Sequence, residues 1–126
     1  MSADLPNLIW VDCEMTGLDI QSDALVEIAV LVTDAQLNVL GEGVDLVIKC
    51  DPAKLTNMQQ VVIDMHTNSG LLKEIPNGTT LEKADEAIIA YLKKYAPTAG
   101  KSPLAGNSVY VDRAFIARDL PLLNKY

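Results

Sequence analysis

An apolar run, Leu8-Ile9-Trp10-Val11, ends in Asp12-Cys13-Glu14 and then in a turn-like Thr16-Gly17-Leu18. This order demands a buried strand that delivers its end to a surface where two charges are tolerated. Side chains alternate along a strand, so residues 12 and 14 point the same way. Two adjacent carboxylates repel each other, and folding gains nothing evident from that. A solvated strand end is the ordinary reading of a bare Asp-x-Glu pair. A divalent cation would turn the repulsion into a binding site. The apolar run before the pair and the turn after it set that second reading level with the first.

The rest of the chain supplies partners for this strand. Residues 25–33, Leu-Val-Glu-Ile-Ala-Val-Leu-Val-Thr, read as a second strand. Residues 39–49 alternate loosely around Gly41 and Gly43 and read as a third, bent or bulged. The short connections favour an antiparallel meander. Residues 53–64 are expected to be helical, and Ser69 to Ile75 a short helix capped by Thr67 or Ser69. Thr79 stands three residues before Glu82, as in a capping box. The next helix carries Leu81, Ala84, Ile88, Tyr91, Leu92 and Tyr95 on one stripe, and Pro97 and Gly100 end it. Residues 103–106 read as a short strand parallel to the first. A helix over about 109–118 follows, with no closing helix before Tyr126. The class is α/β: a mixed sheet flanked by helices, with one sheet face short of cover.

The 126 residues suffice for one domain with a core, and 49% apolar content argues against disorder. A net charge of −7 excludes a surface built to wrap long nucleic acid, which is normally basic. Any nucleic-acid substrate is expected to be short and gripped locally. The two cysteines, Cys13 and Cys50, make no disulfide framework. Met1 to Asp4 lacks a basic leader, and no stretch approaches the roughly 20 apolar residues of a membrane span. A cytoplasmic, reducing setting with no membrane partner is the expectation.

Asp112 stands one turn into the helix that follows the short strand. Neighbouring strands end at one edge of an α/β sheet, where ligands tend to bind, and Asp112 is placed to face that edge. An acidic residue in a first helical turn also serves the helix dipole. Asn107 and Ser108 suit a helix cap or a phosphate held at the helix start.

Taken together, Asp12-x-Glu14-Met15-Thr16-Gly17-Leu18 and Gly106-Asn107-Ser108 with Asp112 and Phe115 resemble the first two motifs of DEDDh-type 3′→5′ exonucleases, of the ribonuclease H-like superfamily. Glu27-Ile28-Ala29, Leu31-Val32-Thr33-Asp34, His66-Thr67-x-Ser69-Gly70-Leu71 and Gly100-Lys101-Ser102-Pro103-Leu104 narrow the resemblance to the oligoribonuclease family, over nearly the whole chain. The resemblance implies a ribonuclease H-like sheet of three antiparallel strands plus parallel strands. It implies two divalent ions, Mg²⁺ or Mn²⁺, with Asp12 bridging both, Glu14 on one and Asp112 on the other. The reaction implied is hydrolysis of short oligoribonucleotides, dinucleotides above all, to mononucleotides. Thr16, Gly17 and Leu18 would meet the 3′-terminal nucleotide, with Leu18 between the bases. Ser108, beside Asn107, would contact the 5′ phosphate, and His66 would lie near the substrate.

The chain departs from the family pattern in two places. The third motif, His-x-x-x-x-Asp, is absent, and with it the general base and a fourth acidic ligand. Residues 1–126 are therefore read as one exonuclease domain, incomplete at its C-terminus, with its last helices missing and little or no activity alone. The full-length protein is expected to be a homodimer. His66, the single histidine, belongs to a different segment and is assigned a structural or substrate-lining role. Many relatives carry a base-stacking tryptophan before that histidine, where this chain has Val61, so weaker apolar contact is expected. Two alternatives remain: a non-catalytic binder of nucleotides or short RNA, and a proofreading-type DNA 3′→5′ exonuclease.

Overall fold

The computed structural model describes residues 5–126; Met1 to Asp4, considered above as a possible leader, lie outside them. Four strands form one sheet: β1 (Leu8–Met15), β2 (Leu25–Thr33), β3 (Val39–Val47) and β4 (Leu104–Ala105), in the order β3-β2-β1-β4. The first three pair antiparallel, and β4 runs parallel to β1. The helices are α1 (Pro52–Thr56), α2 (Gln60–Ser69), α3 (Leu71–Glu74), α4 (Leu81–Tyr95), α5 (Val109–Asp119) and α6 (Pro121–Lys125). This is the mixed sheet flanked by helices that the sequence predicts.

Strand alternation decides where the core sits. Ile9, Val11, Cys13 and Met15 of β1 are buried beside Ile28, Val30 and Val32 of β2. Ala84, Ile88 and Leu92 of α4 and Phe115 and Ile116 of α5 close over them. Each such aliphatic side chain contributes about 1.5–3 kcal/mol relative to exposure. The expected stripe on α4 is the one buried, with Leu81, Tyr91 and Tyr95 packed at its margin. In β3, Gly41 and Gly43 take positive φ of 72° and 76°, and the β2–β3 register shifts between Val30 and Val32. This is the expected irregularity.

Four local expectations need correction. The helix expected over 53–64 is two helices: the chain leaves α1 at Asn57, Met58 turns inward to 8% exposure, and α2 starts at Gln60. The helix expected from Ser69 is interrupted by Gly70 at φ 82°; α2 runs through Ser69, and Thr67 Oγ1 donates to Ile63 O at 2.7 Å rather than capping. The cap of α4 is Thr80, which accepts from Lys83 N at 3.2 Å. Thr79 is held instead by backbone bonds to Val47 and Lys49, which continue the β3 ladder and leave capping to its neighbour. Finally, a short helix, α6, does stand before Tyr126. Its start is held by Asp85 of α4, whose carboxylate accepts from Leu122 N and Leu123 N at 2.9 Å each.

Candidate active site

The face of the sheet opposite the core carries the chemistry. Trp10, Asp12 and Glu14 of β1 point there, with Asp12 opposite Ala29 and Glu14 opposite Glu27. Ala29 pairs in turn with Asp45 of β3. One face therefore collects Asp12, Glu14, Glu27 and Asp45. A cavity of about 530 Å³ opens over it, lined by Trp10, Asp12, Leu31, Gly43, Asp45 and Asn107 among others.

Asp112 reaches the same region from α5. It is 6% exposed, and its Oδ2 accepts from the backbone N–H of Cys13 at 3.1 Å, between the two β1 acids. The start of α5 approaches β1 closely: a Cβ on Gly106 would stand 2.6 Å from Val11 O. Ser108 takes φ 51°, a left-handed conformation unusual for serine, and among the described residues its side chain makes no capping bond. Strain of this kind tends to gather at functional sites.

The electrostatics show that these carboxylates sense one another. Glu27 is pushed up to about 7, first by burial, then by its hydrogen bond to Asp45 and that group's charge, then by Glu14 and Asp12. Burial raises Glu14; His66 opposes the rise and Asp12 adds to it. Burial raises Asp112 too, opposed by the Cys13 N–H and reinforced by Asp12 and Glu14. Burial and the same three acids hold the Cys13 thiol far above its usual range, so it is an inert core thiol.

A divalent ion suits this donor set: hard carboxylate oxygens whose mutual repulsion a cation would relieve. The arrangement is open, since among the described residues no three His, Cys, Asp or Glu side chains converge tightly enough to hold an ion as they stand.

The other expected residues lie beyond the end of β1. Thr16, Gly17 and Leu18 line a cavity of about 760 Å³ together with Lys54, Val61 and Val62. Leu18 and Val61 are 77% and 69% exposed, free to meet a ligand. The Thr16 hydroxyl is already committed: it donates to Asp23 Oδ1 and accepts from Ala24 N, both at 2.9 Å. A Cβ on Gly17 would overlap the Asp23 carboxylate, which explains the glycine. His66 is 1% exposed, with Nε2 2.8 Å from Met15 O. It props the end of β1 from within and presents no face to a ligand, so of the two roles expected for it the structural one fits its position.

Sequence reasoning assigned no site role to Glu27, Asp45, Asp23 or Arg118. Glu27 left a readable signal, a charge inside the otherwise apolar β2. Asp45 was hidden by the irregular register of β3.

Comparison with known proteins agrees with this geometry. The sequence profile of the RNase T exonuclease family matches residues 9–126. The oligoribonuclease of Cutibacterium acnes is 53% identical over 119 residues, covering 94% of this chain and 59% of that protein. The oligoribonuclease of Streptomyces griseus is 55% identical over 119 residues, with the same coverage. The chain thus spans about 59% of the length of these relatives. Among solved structures, E. coli Exonuclease I in complex with a dA16 oligonucleotide superposes with a TM-score of 0.69 at 20% identity, over 90% of this chain and 24% of that one. At that identity the likeness speaks for a shared fold alone. A family profile that spans the acid-bearing strand, the crossover and α5 leaves one conclusion: this chain belongs to the RNase T exonuclease family.

Proposed function

We propose that the protein, at its natural length, is a metal-dependent 3′→5′ exoribonuclease that degrades short oligoribonucleotides, especially dinucleotides, to mononucleotides. The observation that carries this reading is the placement of Asp112. It is tied to the backbone between Asp12 and Glu14, so three carboxylates from two distant segments share one electrostatic neighbourhood. Asp12, Glu14 and Asp112 would hold Mg²⁺ or Mn²⁺, one ion or two. Such ions supply an activated water and stabilise a leaving 3′ oxygen.

The remaining roles belong to the chain. Leu18 and Val61 offer apolar contact to bases across the cavity beyond β1. Asn107 and Ser108, at the start of α5, would receive a phosphate. The net charge of −7 suits a short substrate over a long one. No helix among the described residues is long and apolar enough to cross a membrane. A homodimer is part of the proposal, by likeness to the family. Residues 1–126 alone are expected to turn over little or nothing, because their single histidine is buried against Met15 and unavailable as a base.

The test is hydrolysis of a 5′-phosphorylated diribonucleotide with Mn²⁺ by the natural-length protein, beside Asp12→Ala and beside residues 1–126. Turnover confined to the natural-length wild type supports the proposal in full. Turnover of the deoxy dinucleotide at an equal rate would favour a DNA exonuclease. Binding without turnover at natural length would favour a nucleotide-binding module.

A further inference from the structure

The loop between β1 and β2 carries Thr16, Gly17 and Leu18, and its shape is imposed from α5 as much as from the strand. Inside the loop, Asp23 is the hub. Its Oδ1 accepts from Thr16 Oγ1 at 2.9 Å, its Oδ2 accepts from Asp19 N at 3.0 Å, and its carboxylate fills the space beside Gly17. Outside the loop, Arg118 of α5 grips the backbone. Its Nη1 donates to Ile20 O and to Asp23 O, both at 2.6 Å. The guanidinium is itself held in place: Nε and Nη2 donate to the two Asp119 oxygens at 2.8 and 2.6 Å, and the group stacks 4.9 Å from the centre of the Phe115 ring. Phe115 is 1% exposed, so the stack rests on rigid core. Six residues earlier, the same helix ties Asp112 to Cys13 N. The helix α5 therefore grips the β1 region twice, at the carboxylates and at the loop.

We propose that Arg118, acting through Asp23, is a positioning residue that sets where Gly17 and Leu18 stand relative to Asp12, Glu14 and Asp112. This rests on the exonuclease reading above. A planar fork on a fixed helix suits the task, because it reaches two carbonyls while a neighbouring carboxylate fixes its orientation. Lysine has one point of attachment and would hold the loop less well. Loss of the grip weakens the hold on the terminal nucleotide while leaving the metal ligands in place.

The experiment uses the natural-length protein with Mn²⁺ and compares wild type, Arg118→Ala, Arg118→Lys and Asp23→Asn. The readouts are kcat and KM for a diribonucleotide, the rate on bis(p-nitrophenyl) phosphate, which has no terminal nucleoside to align, and amide exchange of residues 17–23. The expected result for Arg118→Ala is a rise in KM of about tenfold, with kcat and the small-substrate rate within about twofold. Arg118→Lys should fall between it and wild type, and loop exchange should quicken in the same order. Should Arg118→Ala fail to fold, Arg118→Lys and Asp23→Asn carry the same comparison. An unchanged KM in a folded variant overturns the proposal, as does an equal fall on both substrates, which marks a merely structural role. Wild type that turns over neither substrate overturns the exonuclease reading, and this proposal with it.

Discussion

On the inner face of β1, Ile9, Val11, Cys13 and Met15 are buried against β2, α4 and α5. On the outer face of the same strand, Trp10 and Asp12 line an open cavity with Asp45, and Glu14 stands opposite Glu27. The inner face is satisfied as it stands: apolar groups in contact, a neutral thiol, and no buried side-chain polar atom without a partner among the described residues. The outer face is unsatisfied: burial first, and neighbouring acids after it, raise the pKa of Glu14, Glu27 and Asp112. One face contributes the stability of the fold, and the other holds repulsion that a bound cation or a proton relieves. Substitutions on the two faces should therefore separate stability from activity.

The largest separation is expected from the core. Phe115→Ala, at a side chain 1% exposed, should lower the unfolding free energy by about 3–5 kcal/mol, measured by urea denaturation of the natural-length protein. A loss below about 1 kcal/mol would deny that α5 is anchored by its core contact.

Asp12→Asn is the converse. It should cut dinucleotide hydrolysis by about 10²–10³-fold at saturating substrate while leaving Tm equal to or above that of wild type, because a repelling charge is removed. A fall in Tm would mean that the outer acids support the fold after all.

The third prediction concerns pH. Glu27 is held at about 7, above an ordinary carboxylate, so the folded state binds its proton more tightly than the unfolded state does. Stability from this group is fully present below the unfolded pKa and is lost as pH rises through about 7. Without divalent ions, Tm should fall between about pH 4.5 and 7.5. Glu27→Gln should flatten that slope, and millimolar Mn²⁺ should restore Tm most at the upper end of the range. A rise of Tm with pH in metal-free buffer would refute the assignment.

The smallest effect tests a region distant from both faces. Thr80→Ala removes the cap of α4 and should cost about 1 kcal/mol with no change in kcat/KM.

Much of this contrast is legible in the chain. Alternation marks the β1 acids as sharing one side, and the position of Asp112 after a short parallel strand brings it to the same edge. The helix breaks at Asn57 and Gly70 were less legible, because they depend on Met58 turning inward and on one left-handed glycine. The capping of α4 by Thr80 rather than Thr79 was decided by a backbone ladder invisible to local pattern.

By itself the sequence determined the element order, the apolar stripes and the acids at the end of β1, because those follow from periodicity and local chemistry. Only the tertiary structure decided that Asp112 binds the Cys13 backbone, that Glu27 and Asp45 join the acidic face, that His66 is sealed beneath Met15, and that Arg118 grips the loop. Each of these joins residues 13 (Glu14 and Glu27) to 99 (Cys13 and Asp112) positions apart or depends on cross-strand register. Such contacts are set by how sheet and helices pack, which no local pattern records.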